Sequence, residues 1–156
     1  MRAHEFSSLL RSRSRYKHPS HVGQETLIAT LNELLEAERA GARVALHTAE
    51  DAPADLLPLV RAIQHDEARW CALLVHAIQH LGGTPSRRTG DFYAKAMAID
   101  ELPARLAFLN HGQRWVVCRL QALLPQVRDP HLQAELQAMG AAHEDNIKRL
   151  AALLDV

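Results

Sequence analysis

Residues 63–74, IQHDEARWCALL, put a carboxylate where an apolar residue belongs. Ile63, Trp70, Cys71 and Leu74 recur every three or four positions, the spacing of one helical face, and Glu67 falls on that face. A carboxylate in a core seam must keep its proton, pair with a cation or bind a metal. Three further seams are interrupted in the same way. Glu38 interrupts Leu27, Leu31, Leu34, Gly41 and Ala45; Gln113 interrupts Leu102, Leu106, Leu109, Val116 and Leu120; His143 interrupts Leu132, Leu136, Met139, Ile147 and Leu150, with Asn146 one turn on. Glu38 and Glu67 stand at similar sequence distances on either side of one turn, and Gln113 and His143 on either side of another. In a packed bundle the four converge at one level. Two carboxylates and one imidazole suit iron, manganese or zinc and are too hard a set for copper(I).

The elements that must present these residues are helices. Ala, Leu, Glu, Arg and Gln dominate, aromatic residues make up only 4%, and β-branched residues are few. The spacing predicts a first helix over about 24–49 and a break at Asp51-Ala-Pro53, with Asp51 or Asp55 capping a second helix that stops at Gly82-Gly83. Residues 82–98, GGTPSRRTGDFYAKAMA, form one long connection with room for a short helical piece. Asp100 and Pro103 open a third helix that ends before Pro125, and Asp129-Pro130 open a fourth running to about residue 154. Short, long and short connections predict two helical hairpins joined by a long crossover, an all-α four-helix bundle.

A length of 156 residues predicts a single domain. The expected division is a basic flexible arm over 1–23 and a bundle over 24–156. Eighteen Lys and Arg balance eighteen Asp and Glu, so no global field points to nucleic acid or membrane. The arm departs from that balance, with Arg2, Arg11, Arg13, Arg15 and Lys17 against Glu5 alone. Five cations there offer phosphate contacts to DNA, or simply make a solvated tail. An Arg- and Ser-rich start is shared with transit peptides, but no run approaches membrane-spanning length and Cys71 and Cys118 form no CxxC pair. A soluble, cytoplasmic protein with reduced thiols is expected. There is no Gly-rich phosphate loop, nucleophile elbow or zinc-type Cys/His array.

Through GTPSRRTGDFYAKAMAI, LAFLNHGQRWVV and AHEDNI, the chain from about 24 to 154 resembles the ferritin-like superfamily, and within it an uncharacterised bacterial branch. The resemblance implies a ferritin-like four-helix bundle. In metal-binding members two helices each give a Glu and two each give a Glu-x-x-His. Carried over by position, Glu38 and Glu67 match two of the carboxylates. Trp70 replaces the histidine that would follow Glu67, Gln113 takes the third carboxylate's place, and His143-x-x-Asn146 replaces the last motif. Trp offers only an N–H donor and cannot ligate. A centre of two metal ions with bridging carboxylates is therefore not expected.

Three functions fit these residues. Glu38, Glu67 and His143 hold one divalent ion, with Gln113, Asn146 or water completing the shell and Trp70 beside it. An open coordination position would then permit redox or oxygen-linked chemistry. Alternatively, protonated His143 between two carboxylates forms a metal-free structural cluster that fixes helix register. The third function is binding through the basic arm, with the centre a relic. Helix three carries a second stripe, Phe108, His111, Trp115 and Cys118, opposite Gln113, which the chain's own arm or crossover or a second copy would cover; a homodimer is expected. His47, His65, His76 and His80 point away from the centre, and the last two are spaced to chelate surface metal.

Overall fold

A computed structural model describes residues 19–154. The helices are α1 (Pro19–Asp51), α2 (Leu57–His80), α3 (Phe92–Met97), α4 (Leu102–Leu123) and α5 (Pro130–Leu154), with a 3₁₀ turn at Leu124–Gln126 after α4. No strand occurs among the described residues. Of the expected basic arm, residues 1–18 lie outside the described residues. Residues 19–23 are the start of α1, which begins earlier than the apolar period alone predicts. Pro19 accounts for the earlier start, because proline lacks the N–H that the first helical position leaves unpaired and its φ is already set for a helix.

The helix ends follow local chemistry, with two corrections to the caps expected from sequence. Leu56, and neither Asp51 nor Asp55, occupies the cap of α2, and Glu101, rather than Asp100, occupies that of α4. Neither makes a side-chain capping bond, and both helices have proline in the first turn, which removes one N–H that would need a partner. Asp129 does cap α5, its Oδ1 accepting from the His131 N–H at 2.9 Å. At the end of α2, Gly82 adopts a φ of 82° while the Gly82 and Gly83 amides donate to the Gln79 and Ile78 carbonyls. This glycine turn closes the helix and sends the chain across the bundle.

The main helix packing joins α1 to α2 and α4 to α5, giving two hairpins, and α3 of the crossover lies on α1 and α4. The crossover is fastened to α1. The Ser86 N–H donates to Asn32 Oδ1 at 2.7 Å, Asn32 Nδ2 donates to the Thr84 carbonyl at 3.2 Å, and Ser86 Oγ donates to Glu36 Oε1 at 2.5 Å. Arg39 adds a bond to the Arg88 carbonyl at 2.8 Å. At its far end, buried Arg105 donates from Nε to the Ile99 carbonyl at 2.9 Å.

The apolar core has two parts. One contains Leu31, Leu34, Trp70, Leu74, Leu120 and Leu136; the other contains Val44, Val60, Ile63, Leu106, Leu109 and Leu150. On every long helix the polar residue of the seam lies between the two in sequence: Glu38, Glu67, Gln113 and His143. Two hydrophobic layers thus exclude water above and below one polar layer, which raises the strength of every interaction inside it.

Candidate metal centre

Glu38 comes from α1, Glu67 from α2 and His143 from α5, and they are 1%, 4% and 2% exposed. One ligand atom from each lies within 4.8 Å of the others. The seam spacing explains why: each residue sits where its helix turns toward the bundle axis, so burial is imposed by the flanking leucines.

The protons decide what the cluster requires. His143 Nδ1 stands 2.9 Å from the Met139 carbonyl. A carbonyl only accepts, so Nδ1 carries the hydrogen. Nε2 faces Glu38 Oε1 at 2.9 Å. In the neutral ring Nε2 has a lone pair, and a lone pair and a carboxylate oxygen at that distance need a proton or a cation between them. Burial lowers the affinity of the ring for a proton, but the charge and hydrogen bond of Glu38 and the Met139 carbonyl outweigh it and raise the pKa above 6.5. Glu67 is raised well above 4.5, chiefly by burial and then by the charges of Glu38 and Asp66.

Several oxygens remain unsatisfied. Glu38 Oε2, Glu67 Oε2 and Gln113 Oε1 are buried without a hydrogen-bond partner. Gln113 is 2% exposed, and its orientation is fixed by a relay. Asn110 Nδ2 donates to the Ile147 carbonyl at 3.1 Å, which leaves Asn110 Oδ1 to accept from Gln113 Nε2 at 3.2 Å. Because the Ile147 carbonyl can only accept, neither amide can be reversed without losing a bond. Gln113 therefore presents its carbonyl as a free acceptor. Buried oxygens of Glu38 and Glu67 with the imidazole lone pair of His143, all within 4.8 Å of one another, are a donor set that a divalent cation takes. The residues present fit one such ion.

The other two sequence candidates play different parts. Trp70 packs among the leucines and its Nε1 has no partner, while the Arg69 guanidinium stacks on the ring at 4.7 Å. Asn146 is buried but donates to Asp66 Oδ2 at 2.9 Å. Asp66, Asn110 and the Met139 carbonyl are members of the network that seam counting misses. Asn110 stands one turn before Gln113, and Asp66 precedes Glu67, so the signal available was a polar residue adjoining each interruption.

Gly41 is the least replaceable neighbour of Glu67. A Cβ on it would stand 2.6 Å from Glu67 Oε1, so the α1 backbone forms the wall against which that carboxylate lies. Gly140, inside α5, is a natural control, because a Cβ there would meet nothing closer than Leu120 Cδ1 at 3.7 Å. Alanine has the better helix propensity at both sites. Gly140→Ala is expected to stabilise by about 0.5–1 kcal/mol, and Gly41→Ala to destabilise by about 1–3 kcal/mol as the carboxylate is displaced. Urea unfolding of the two variants checks the opposite signs.

A cleft of about 570 Å³ opens between α1, the crossover and α4 and reaches inward to Glu38, Glu67 and Gln113. Phe92 of α3 stacks on Phe108 of α4, with centroids 4.8 Å apart and planes at 11°. The crossover thus covers part of the second stripe of α4. Phe108, His111 and Trp115 line the cleft, Trp115 being 44% exposed, and Cys118 is exposed beyond it. Among the other histidines, His47 is half-buried against Tyr93, with centroids 5.7 Å apart, and His65, His76 and His80 are exposed.

The family described as a domain of unknown function, DUF6306, matches residues 24–152. The chain belongs to that family. No curated protein matches it. Among solved structures, the DUF6306 chain is similar to one described as ferritin like, diiron-carboxylate proteins from Bacillus anthracis str. Ames. The TM-score is 0.77 and the identity 22%, over 85% of this chain and 97% of that one. The likeness establishes a ferritin-like helical bundle as the fold of this chain. Among the described residues, no helix is long and apolar enough to cross a membrane.

Proposed function

We propose that the protein is a ferritin-like metalloprotein in which Glu38, Glu67 and His143 hold one divalent ion, and that the cleft brings a reactant to it. The observation that carries this reading is the buried trio itself, with its donor atoms within 4.8 Å of one another and two carboxylate oxygens unsatisfied. An iron or manganese ion bound there would supply redox chemistry, and a zinc ion Lewis acidity. The protein's share is positioning. The Met139 carbonyl holds the His143 ring with Nε2 aimed at the cluster, Gly41 backs Glu67, and Asn110 engages the Gln113 amide nitrogen, leaving its carbonyl unpaired. Two carboxylates, with Gln113, Trp70 and Asn146 at the other family positions, support a mononuclear centre over a dinuclear one.

A second reading draws on the 2.9 Å contact between His143 and Glu38, which also suits an imidazolium–carboxylate pair in a metal-free structural cluster. Elemental analysis separates the two. Untagged protein purified without a metal column is expected to carry near-stoichiometric iron, manganese or zinc, and a Glu38→Ala/Glu67→Ala variant to carry almost none. His76→Ala serves as a control, because His76 and His80 are exposed one turn apart, a spacing that could chelate adventitious metal. Sub-stoichiometric metal that the double substitution leaves unchanged would sink the metal reading.

A further inference from the structure

The crossover covers only part of the second stripe of α4. Phe92 lies on Phe108 because Gly112 has no side chain; a Cβ there would stand 2.7 Å from Phe92 Cζ. Beyond that stack Trp115 is 44% exposed in the cleft, and Cys118 is exposed one turn further along α4. The same mouth is acidic. Asp91 and Glu33 are exposed and Glu36 is half-buried, and of these only Glu33 has an ion-pair partner among the described residues, Arg119 at 2.6 Å. One ammonium, that of Lys95, lines the cleft. An exposed indole beside carboxylates is the surface that a segment rich in both apolar and cationic residues covers best.

The run of the groove leads to such a segment. At the inner end of the cleft Glu38 of α1 is level with Gln113 of α4, whereas nearer the start of α1 Glu33 meets Arg119. The two helices are therefore antiparallel, and from Trp115 past Cys118 the groove between them leads toward Pro19, the first described residue. In sequence, residues 6–17 read FSSLLRSRSRYK, three apolar side chains at Phe6, Leu9 and Leu10 and then Arg11, Arg13, Arg15 and Lys17. A helix rises about 1.5 Å per residue, so Glu36 stands about 26 Å along α1 from Pro19. Extended chain from Pro19 back to Leu10 spans about 30 Å, enough to come level with Glu36 and Trp115. By the same measure Arg13 comes level with Glu33 at about 20 Å.

We propose that the segment 6–17 docks on its own bundle, with Phe6, Leu9 and Leu10 in the aromatic mouth of the cleft and the arginines against its carboxylates. A segment seated there covers the open part of the α4 stripe. It also closes the approach to Glu38 and Glu67, and so competes with any reactant that enters by the cleft. The docking depends on the surface of the cleft and not on whether the centre holds an ion.

Cys118 is the reporter, because its free thiol is exposed on the stripe. Alkylation of Cys118 by iodoacetamide in the full chain, followed by peptide mass spectrometry, is expected to be slowed by the docked segment. Phe6→Ser/Leu9→Ser/Leu10→Ser changes no residue of the described helices and should speed alkylation by about fivefold or more. Added salt should speed it in the wild-type chain, by screening the arginines, and leave the triple variant unchanged. A second measurement uses proximity. Ser12→Cys should form a disulfide with Cys118 within one chain, at a rate independent of protein concentration. Adding the three serine substitutions should slow that step by about tenfold, as the effective concentration falls to that of a loose tether. Equal alkylation rates in the wild type and the triple variant would overturn the proposal. So would a disulfide between residues 12 and 118 that forms only between chains and fades on dilution, since the occupant is then a second copy.

Discussion

Saturating zinc, manganese or ferrous ion raises the melting temperature of the metal-stripped protein by roughly 8–16 °C, and Glu67→Ala abolishes the rise. The size follows from mass action. A ligand present at about a thousand times its dissociation constant stabilises the folded chain by about 4 kcal/mol if the unfolded chain does not bind it. For a chain of this length each kcal/mol moves the midpoint by about 2–4 °C. The unfolded chain has no comparable site, since Glu38, Glu67 and His143 are brought together from three helices. The metal-stripped state also carries buried acceptors without partners, so binding relieves a destabilisation already present.

Scanning calorimetry of both proteins, with and without metal, decides between the two readings of the centre. A structural cluster gives a different pattern: Glu67→Ala then lowers the midpoint equally in both conditions, and added metal does nothing. Gln113→Ala is expected to keep part of the rise, because it removes a neutral donor and leaves both carboxylates and the imidazole. His76→Ala should leave the whole rise intact, which ties it to the bundle centre rather than to the exposed histidine pair.

The bundle was legible because its seams are regular. The leucines of four stripes fixed which face of each helix is buried, and the four interruptions fixed where the polar layer lies. Local chemistry that breaks the period was harder to see. Pro19 starts α1 before any apolar repeat begins, and the caps of α2 and α4 fall on residues that make no capping bond, so no side-chain signal marks them. Within the site, Glu38, Glu67 and His143 were readable as separate helical positions that the bundle brings into one cluster. The Asn110–Gln113 relay joins α4 to a backbone carbonyl of α5, and the contact of Gly41 with Glu67 joins α1 to α2. Both depend on how the helices are rotated against each other, which a periodic pattern on a single helix does not specify. The stripe of Phe108, His111 and Trp115 shows the same limit. Its exposure on α4 was evident, but its part in lining the cleft depends on where the crossover lays Phe92.

The pH dependence of stability should have opposite signs in the metal-stripped and metal-loaded protein. In the stripped protein, the folded-state pKa of His143 lies above its unfolded value of 6.5. Its contribution is fully present below pH 6.5 and is lost as pH rises through the folded value. Glu67 acts in the same direction for a different reason. Burial raises its folded pKa well above 4.5, so between 4.5 and the folded value the folded chain keeps a proton that the unfolded chain releases. Each tenfold difference in proton affinity is worth about 1.4 kcal/mol, so stability of the stripped protein falls as pH rises past the unfolded values, 4.5 for Glu67 and 6.5 for His143. Glu67→Gln, neutral throughout, flattens the part of that fall due to the carboxyl and leaves the part due to His143. Metal reverses the slope, because ligation needs Glu67 ionised and His143 Nε2 bare, so protons compete with the ion and acid weakens its hold. Urea unfolding between pH 5 and 9, with and without metal, measures both slopes. Parallel slopes would mean that the ion binds elsewhere.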